Sequence, residues 1–148
     1  MADSFSNLRA DRVLVVDPDE RHVFKNASAT AYTGLKGDCF WVRIEGRYCV
    51  ELAESQVALA GAAVAQQKVR FFIDAEELQG YDSDARNLLT KWCVTHLGDL
   101  AEVHILSGVR IVSMGVAVAN IALSGTLEAH ETWDAFRAAF HESQTQSR

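Results

Sequence analysis

Residues 69–73 read as a continuous apolar strand, Val69-Arg70-Phe71-Phe72-Ile73, that ends at Asp74, and helical patterns lie downstream and upstream of it. A strand that is apolar on both faces has to be covered on both, so a run of this kind belongs inside a parallel or mixed sheet with helices packed on it. Every other assignment in the chain is constrained by that one.

Before residue 50 the pattern is strand-like. Residues 13–16 are a short apolar run closed by Asp17-Pro18-Asp19-Glu20, a strong turn signal. Residues 21–27 are expected to return antiparallel, anchored by Val23 and Phe24, and residues 33–37 (Thr-Gly-Leu-Lys-Gly) read as a loop. In residues 39–45, Phe40, Val42 and Ile44 alternate with Trp41, Arg43 and Glu45, the period-2 signature of a strand. Gly46-Arg47 suggests a tight turn into a short strand at 48–50.

After residue 50 helices and strands alternate. The order is an Ala-rich helix at 54–67, the strand at 69–73, and an amphipathic helix at 83–97 with Leu88, Leu89, Trp92 and Cys93 on one face. A strand at 103–106, a largely apolar helix at 109–123, a short strand at 126–129 and a helix at 132–141 follow. Trp133, Phe136 and Phe140 form one stripe of the last helix. The expected fold is α/β: a single-domain mixed β-sheet with helices packed on it, spanning residues 11–141. Residues 1–10 and 142–148 are polar and aperiodic, and read as flexible tails.

At 148 residues and 49% hydrophobic, the chain can bury one well-filled core. The net charge of −6 and the absence of a basic cluster argue against nucleic acid as a partner. The longest apolar stretch, residues 111–123, falls short of the ~20 consecutive apolar residues of a membrane span, and no secretory signal opens the sequence. Cys39, Cys49 and Cys93 include no CxxC pair and read as buried, reduced thiols of a cytoplasmic protein. His22, His96, His104, His130 and His141 show no metal-ligand spacing, and no Walker loop, GxSxG or GxGxxG is present, so neither metal nor cofactor is expected.

The acidic turn after residues 13–16 superficially suits a phosphorelay receiver. Such a domain needs a second Asp one βαβα unit later; Asp74 lies too far along, and Pro18 stands where a ligand belongs. An acidic turn between strands is the simpler reading.

The segment 72–86 carries more information. It is a buried strand, an acidic residue at its carboxyl end, a short connection and a helix start at Asp82-Ser83-Asp84-Ala85-Arg86. Asp82 or Ser83 suits an N-cap, and Asp84 the positive end of the helix dipole. Binding sites of open α/β sheets gather beyond the carboxyl ends of the strands.

At these residues the chain resembles the STAS family of anti-sigma-factor antagonists, the SpoIIAA-like proteins. Asp74 matches their strand-end Asp, and Asp82-Ser83-Asp84-Ala85 falls where they carry Asp-Ser-Ser-Gly. The Tyr81–Arg86 segment is more similar still to divergent bacterial STAS-like proteins, and the resemblance extends over residues 39–141 in pattern. It implies a non-catalytic regulatory module that docks a protein partner, such as an anti-sigma kinase, through Asp74, Tyr81, Asp82, Ser83, Asp84 and Arg86. The phosphoacceptor serine of the family is replaced by Asp84 and the closing glycine by Ala85. Asp84 therefore stands as a helix-start charge, a partner contact or a fixed imitation of a phosphoserine, and Ser83 as a cap or an alternative acceptor.

A second reading starts from the helix at 109–123, which is apolar on most of its circumference and so must be buried on more than one side. Ile111, Met114 and Val118 then belong to the core, to a homodimer face, or to a pocket for a small lipid-like ligand. An enzymatic reading rests only on generic Asp, Ser and His residues.

Overall fold

The computed structural model describes residues 22–107 and 127–146. Six strands form one sheet in chain order: β1 (His22–Lys25), β2 (Ala29–Lys36), β3 (Cys39–Tyr48), β4 (Val69–Tyr81), β5 (Leu100–Leu106) and β6 (Leu127–His130). The first two pairings are antiparallel, and the three pairings from β3 through β6 are parallel. Helix α1 (Val50–Val64) links β3 to β4, α2 (Ser83–Thr95) links β4 to β5, and α3 (Trp133–Gln146) follows β6. The mixed α/β sheet expected from the sequence is what forms. The strand expected at 13–16, the tail at 1–10 and the helix at 109–123 lie outside the described residues.

Strand alternation assigns the two sheet faces. Phe40, Val42 and Ile44 of β3, Phe71 of β4 and Val103 of β5 pack with Leu52, Ala53, Ala60 and Ala63 of α1 and with Ala85 and Cys93 of α2. The crossovers through α1 and α2 advance across the sheet in the same direction, and right-handed connections of that kind put their helices on the same face. The opposite face belongs to α3: Trp41 and Phe72 meet Phe136 and Phe140, with Trp41 and Phe140 edge-to-face at 5.1 Å and Phe72 and Phe140 at 5.2 Å. The stripe read from α3 is thus the lid of a second core. Among the described residues, no helix is long and apolar enough to cross a membrane.

Several boundaries differ from the sequence reading. Thr33 and Gly34 are not in a loop but pair with Val42 and Trp41, and the hairpin turn is confined to Gly37-Asp38, with Gly37 at φ 61°. Gly46-Arg47 does not end a strand either. β3 runs on to Tyr48, and α1 begins directly at Val50 with Cys49 as its extended N-cap. Gly46 takes φ 92°, and a Cβ there would sit 2.4 Å from the Ser28 carbonyl oxygen, which accepts the Arg47 amide. Gly46→Ala is therefore expected to cost roughly 1–3 kcal/mol from backbone conformation alone. The urea unfolding midpoint measures this, and an unchanged midpoint would contradict the close approach.

The largest departure concerns β4, which does not stop at Asp74 but continues to Tyr81. Its second half pairs with β3 residues Glu45 to Tyr48, with register shifts after Arg43 and after Gly46 that accommodate extra residues in β4. Glu76, Glu77 and Gln79 look like a connection in the sequence, but Ala75 and Leu78 are buried and hold the segment on the sheet. Residues 142–146, read as part of a tail, are helical, and Ser143 is buried. The cause is Arg70. Its guanidinium grips Asp38 with two hydrogen bonds (2.6 and 3.1 Å) and donates to the Ser143 carbonyl and hydroxyl.

Cys39, Cys49 and Cys93 are buried and unpaired, as expected. Burial pushes the Cys39 and Cys93 thiols up to about 12 from an ordinary value of 9.0. In the unfolded chain these thiols ionise from about pH 9, whereas the fold resists ionisation until about 12. Stability is therefore retained below pH 9 and lost progressively above it. Urea midpoints at pH 8 and pH 10 should show the decline. A Cys39→Ala/Cys93→Ala variant should show less of it than the parent; an equal decline would assign the effect to other groups.

Candidate functional site

The segment singled out by the sequence lies where β4 ends and α2 begins, at the carboxyl end of the parallel strands. Asp82 is the N-cap of α2, with extended backbone (φ −83°, ψ 137°), and its amide donates to the Tyr48 carbonyl at the end of β3. Its side chain makes no capping hydrogen bond. The carboxylate instead accepts from Arg47 Nε at 2.7 Å, and Arg47 Nη2 reaches the Tyr81 carbonyl at 3.2 Å. The guanidinium also lies over Gly80, where a Cβ would come 3.3 Å from Nη1. Arg47 thus bridges the ends of β3 and β4 to the start of α2. Both partners are substantially exposed, so the ion pair is worth at most about 1 kcal/mol and acts chiefly to orient the turn.

Ser83 and Asp84 occupy the first turn of α2 and are exposed, while Ala85 beside them is fully buried against the core. Asp84 gains from the helix dipole without being consumed by an ion pair with Arg47. Arg86 is half-buried, with its guanidinium 5.7 Å from the centre of the Tyr81 ring and one nitrogen 3.2 Å from Asn87 Oδ1. Tyr81, Asp82, Ser83, Asp84 and Arg86 therefore do form one surface. Arg47 belongs with them and was not singled out in the sequence. Only the adjacency of the β3 and β4 ends brings it there.

Asp74 does not share that surface. It is fully buried in the middle of β4, and its Oδ2 accepts from Arg43 Nη1 at 2.7 Å. Arg43 is fully buried too, with Glu45 a further 3.6 Å from Nη2. The expectation of Asp74 at a strand end is therefore corrected: it is a cross-strand ion-pair partner of β3 inside the sheet. Ile111, Met114 and Val118 lie outside the described residues.

A second polar cluster stands on the α3 face, at the other parallel edge. His104 of β5 lies directly opposite Glu128 of β6, and His130 is two residues further along the same face. His104 Nδ1 is 3.0 Å from His130 Nε2 and 3.5 Å from Glu128 Oε2. Partial burial, and then the neighbouring His104, hold His130 below the usual histidine range. Sequence spacing alone separates His104 and His130 by a whole crossover, and so did not pair them.

The six-stranded mixed sheet, with α1 and α2 on one face and α3 on the other, defines a SpoIIAA-like, STAS-like fold. Solved structures share it, among them two at TM-score 0.55. One is an uncharacterised protein of the DUF3478 family with a SpoIIAA-like fold from Shewanella loihica PV-4, 19% identical, covering 79% of this chain and 98% of that one. The other is an anti-sigma factor antagonist from Mycobacterium paratuberculosis, 15% identical, covering 78% of this chain and 97% of that one. No family model and no curated protein matches the sequence.

Proposed function

We propose that this chain is a non-catalytic regulatory module that docks a protein partner through the surface formed by Arg47, Tyr81, Asp82, Ser83, Asp84 and Arg86. The observation that carries the reading is the exposed first turn of α2, at the carboxyl end of the parallel strands, on a fold shared with an anti-sigma factor antagonist. Asp84 stands at the position that matches the phosphoacceptor serine of that family. It provides a permanent single negative charge there, less than the ≈ −1.5 to −2 of a phosphate. In this reading the module is not switched by a serine kinase at that residue, and its partner meets a constant charge. The buried, unpaired cysteines agree with a reducing cytoplasm.

Affinity capture from the source cells, with the wild type and with Asp84→Arg and Arg86→Glu variants, tests the proposal. The expected result is a partner retained by the wild type and by an Asp99→Asn control, and lost by at least tenfold with either variant, as befits a charged contact at an interface centre. Recovery of the same proteins in the same amounts with all four chains would overturn it.

A further inference from the structure

We propose that His104, Glu128 and His130 form a binding site for a divalent first-row transition ion, with zinc as its natural occupant. This inference is independent of the partner surface, which involves β3, β4 and α2.

One donor atom from each of the three residues falls within a set spanning no more than 4.8 Å. The separations from His104 Nδ1, 3.0 Å to the second imidazole nitrogen and 3.5 Å to the carboxylate, bracket the edge of a zinc tetrahedron. With bonds of 2.0–2.1 Å that edge is about 3.3 Å. The strands supply the placement. Glu128 and His130, two apart, project from the same face of β6, and the parallel register sets His104 opposite Glu128. The two rings meet head-on, with centroids 5.3 Å apart and planes 20° from parallel, so binding requires the half-buried His130 ring to turn outward until both nitrogens face one ion, which then replaces the hydrogen bond between them.

The supporting residues fix the innermost ligand. The His104 ring is buried and stacked on Phe72, with centroids 4.8 Å apart and planes 7° from parallel, and Phe72 is itself held edge-on by Phe136 and Phe140. Its other nitrogen, Nε2, is 3.6 Å from Glu102 Oε1, and the second oxygen of Glu102 accepts from the Ser143 hydroxyl. At that distance Glu102 makes no direct hydrogen bond, but its negative charge behind the imidazole favours the proton on Nε2 and the lone pair on Nδ1. Here that leaves Nδ1 facing His130 and Glu128. Two imidazoles and one carboxylate suit zinc, and the exposed Glu128 leaves water access to a fourth position.

The test is titration of chelator-treated protein with zinc chloride in competition with a chromophoric chelator, and with cobalt chloride followed by visible absorption. The wild type should take up one equivalent of zinc and, with cobalt, develop the intense bands of a four-coordinate ion. His130→Ala and Glu128→Gln alter side chains at a half-buried and an exposed position, so folding, checked by far-ultraviolet circular dichroism, should persist. Each should weaken zinc binding roughly tenfold or more, at least the loss that follows removal of an outer partner. His96→Ala, at the end of α2, should bind as the wild type does. Failure of the wild type to take up zinc, or equal uptake by the wild type and His130→Ala, would overturn the proposal. So would a wild-type cobalt complex with the weak bands of the hexahydrated ion.

Discussion

Asp74→Ala is expected to lower the stability of the fold by about 3–5 kcal/mol, because it removes the nearer, fully buried counter-charge of the Arg43 cation and leaves only the more distant Glu45, 3.6 Å from Nη2. The pair sits with both side chains fully out of solvent, and Arg43 Nε and Nη2 have no hydrogen-bond partner among the described residues. The guanidinium therefore depends heavily on the 2.7 Å bond that Asp74 accepts. Since a domain of this kind is stable by only about 5–15 kcal/mol, the loss should be plain in a urea titration and sufficient to unfold part of the population. The double variant Arg43→Met/Asp74→Leu removes both charges, and should regain much of the loss because apolar side chains of similar volume avoid the desolvation cost altogether. A single variant as stable as the wild type would show that the pair contributes nothing net to the fold. A double variant no better than the single one would show that the hydrogen bonds Asp74 accepts, and not its charge, matter most; one of its oxygens also accepts the Glu76 amide at 3.3 Å.

Arg70→Ala is expected to cost about 3 kcal/mol, by removing charge-assisted hydrogen bonds at a site where Arg70 and Ser143 are buried. Arg70 joins three parts of the molecule: the β2–β3 turn at Asp38, strand β4, and the last turns of α3 at Ser143. Because the loss is concentrated where α3 meets the sheet, amide exchange should accelerate more in residues 136–146 than in α1. Equal acceleration in both helices would mean that Arg70 supports the fold as a whole and has no special hold on α3. Lysine should not rescue the variant, since a single ammonium cannot reproduce the two-pronged grip on Asp38.

The elements that were legible in the sequence are those whose side chains report their burial. The alternation of residues 39–45, the apolar run at 69–73 and the stripe Trp133-Phe136-Phe140 each state which face is covered, and the structure places them accordingly. The errors fall where long-range pairing overrides composition. Thr33-Gly34 has loop composition, yet is paired on the sheet between β1 and β3. Residues 75–81 look like a linker, but two register shifts let a polar segment continue as strand while Ala75 and Leu78 stay inside. Residues 142–146 lack apolar character, and Ser143 is held there by a buried arginine 73 positions away in sequence and by Glu102, contacts that no local pattern shows.

The candidate surface was legible for a similar reason and to a similar extent. Tyr81, Asp82, Ser83, Asp84 and Arg86 are consecutive or nearly so, and a strand followed by a helix start places them together whatever the rest of the chain does. Arg47 and the His104–Glu128–His130 cluster depend on which strands are neighbours, which no local pattern reveals. Asp74 was misplaced for the reason that β4 was cut short: a carboxylate after an apolar run resembles a strand terminus unless a buried cation is known to lie beside it.

The order of the strands has a further consequence for biogenesis. Because each strand pairs with the one made just before it, the sheet can be laid down progressively as the polypeptide leaves the ribosome, with α1 and α2 already covering one side. α3 follows every described strand, so until it emerges Trp41 and Phe72 lack the cover that its Phe136 and Phe140 supply. A nascent chain stalled before residue 133 would lack that cover over its aromatic wall, a kind of surface that chaperones and other copies of the chain engage.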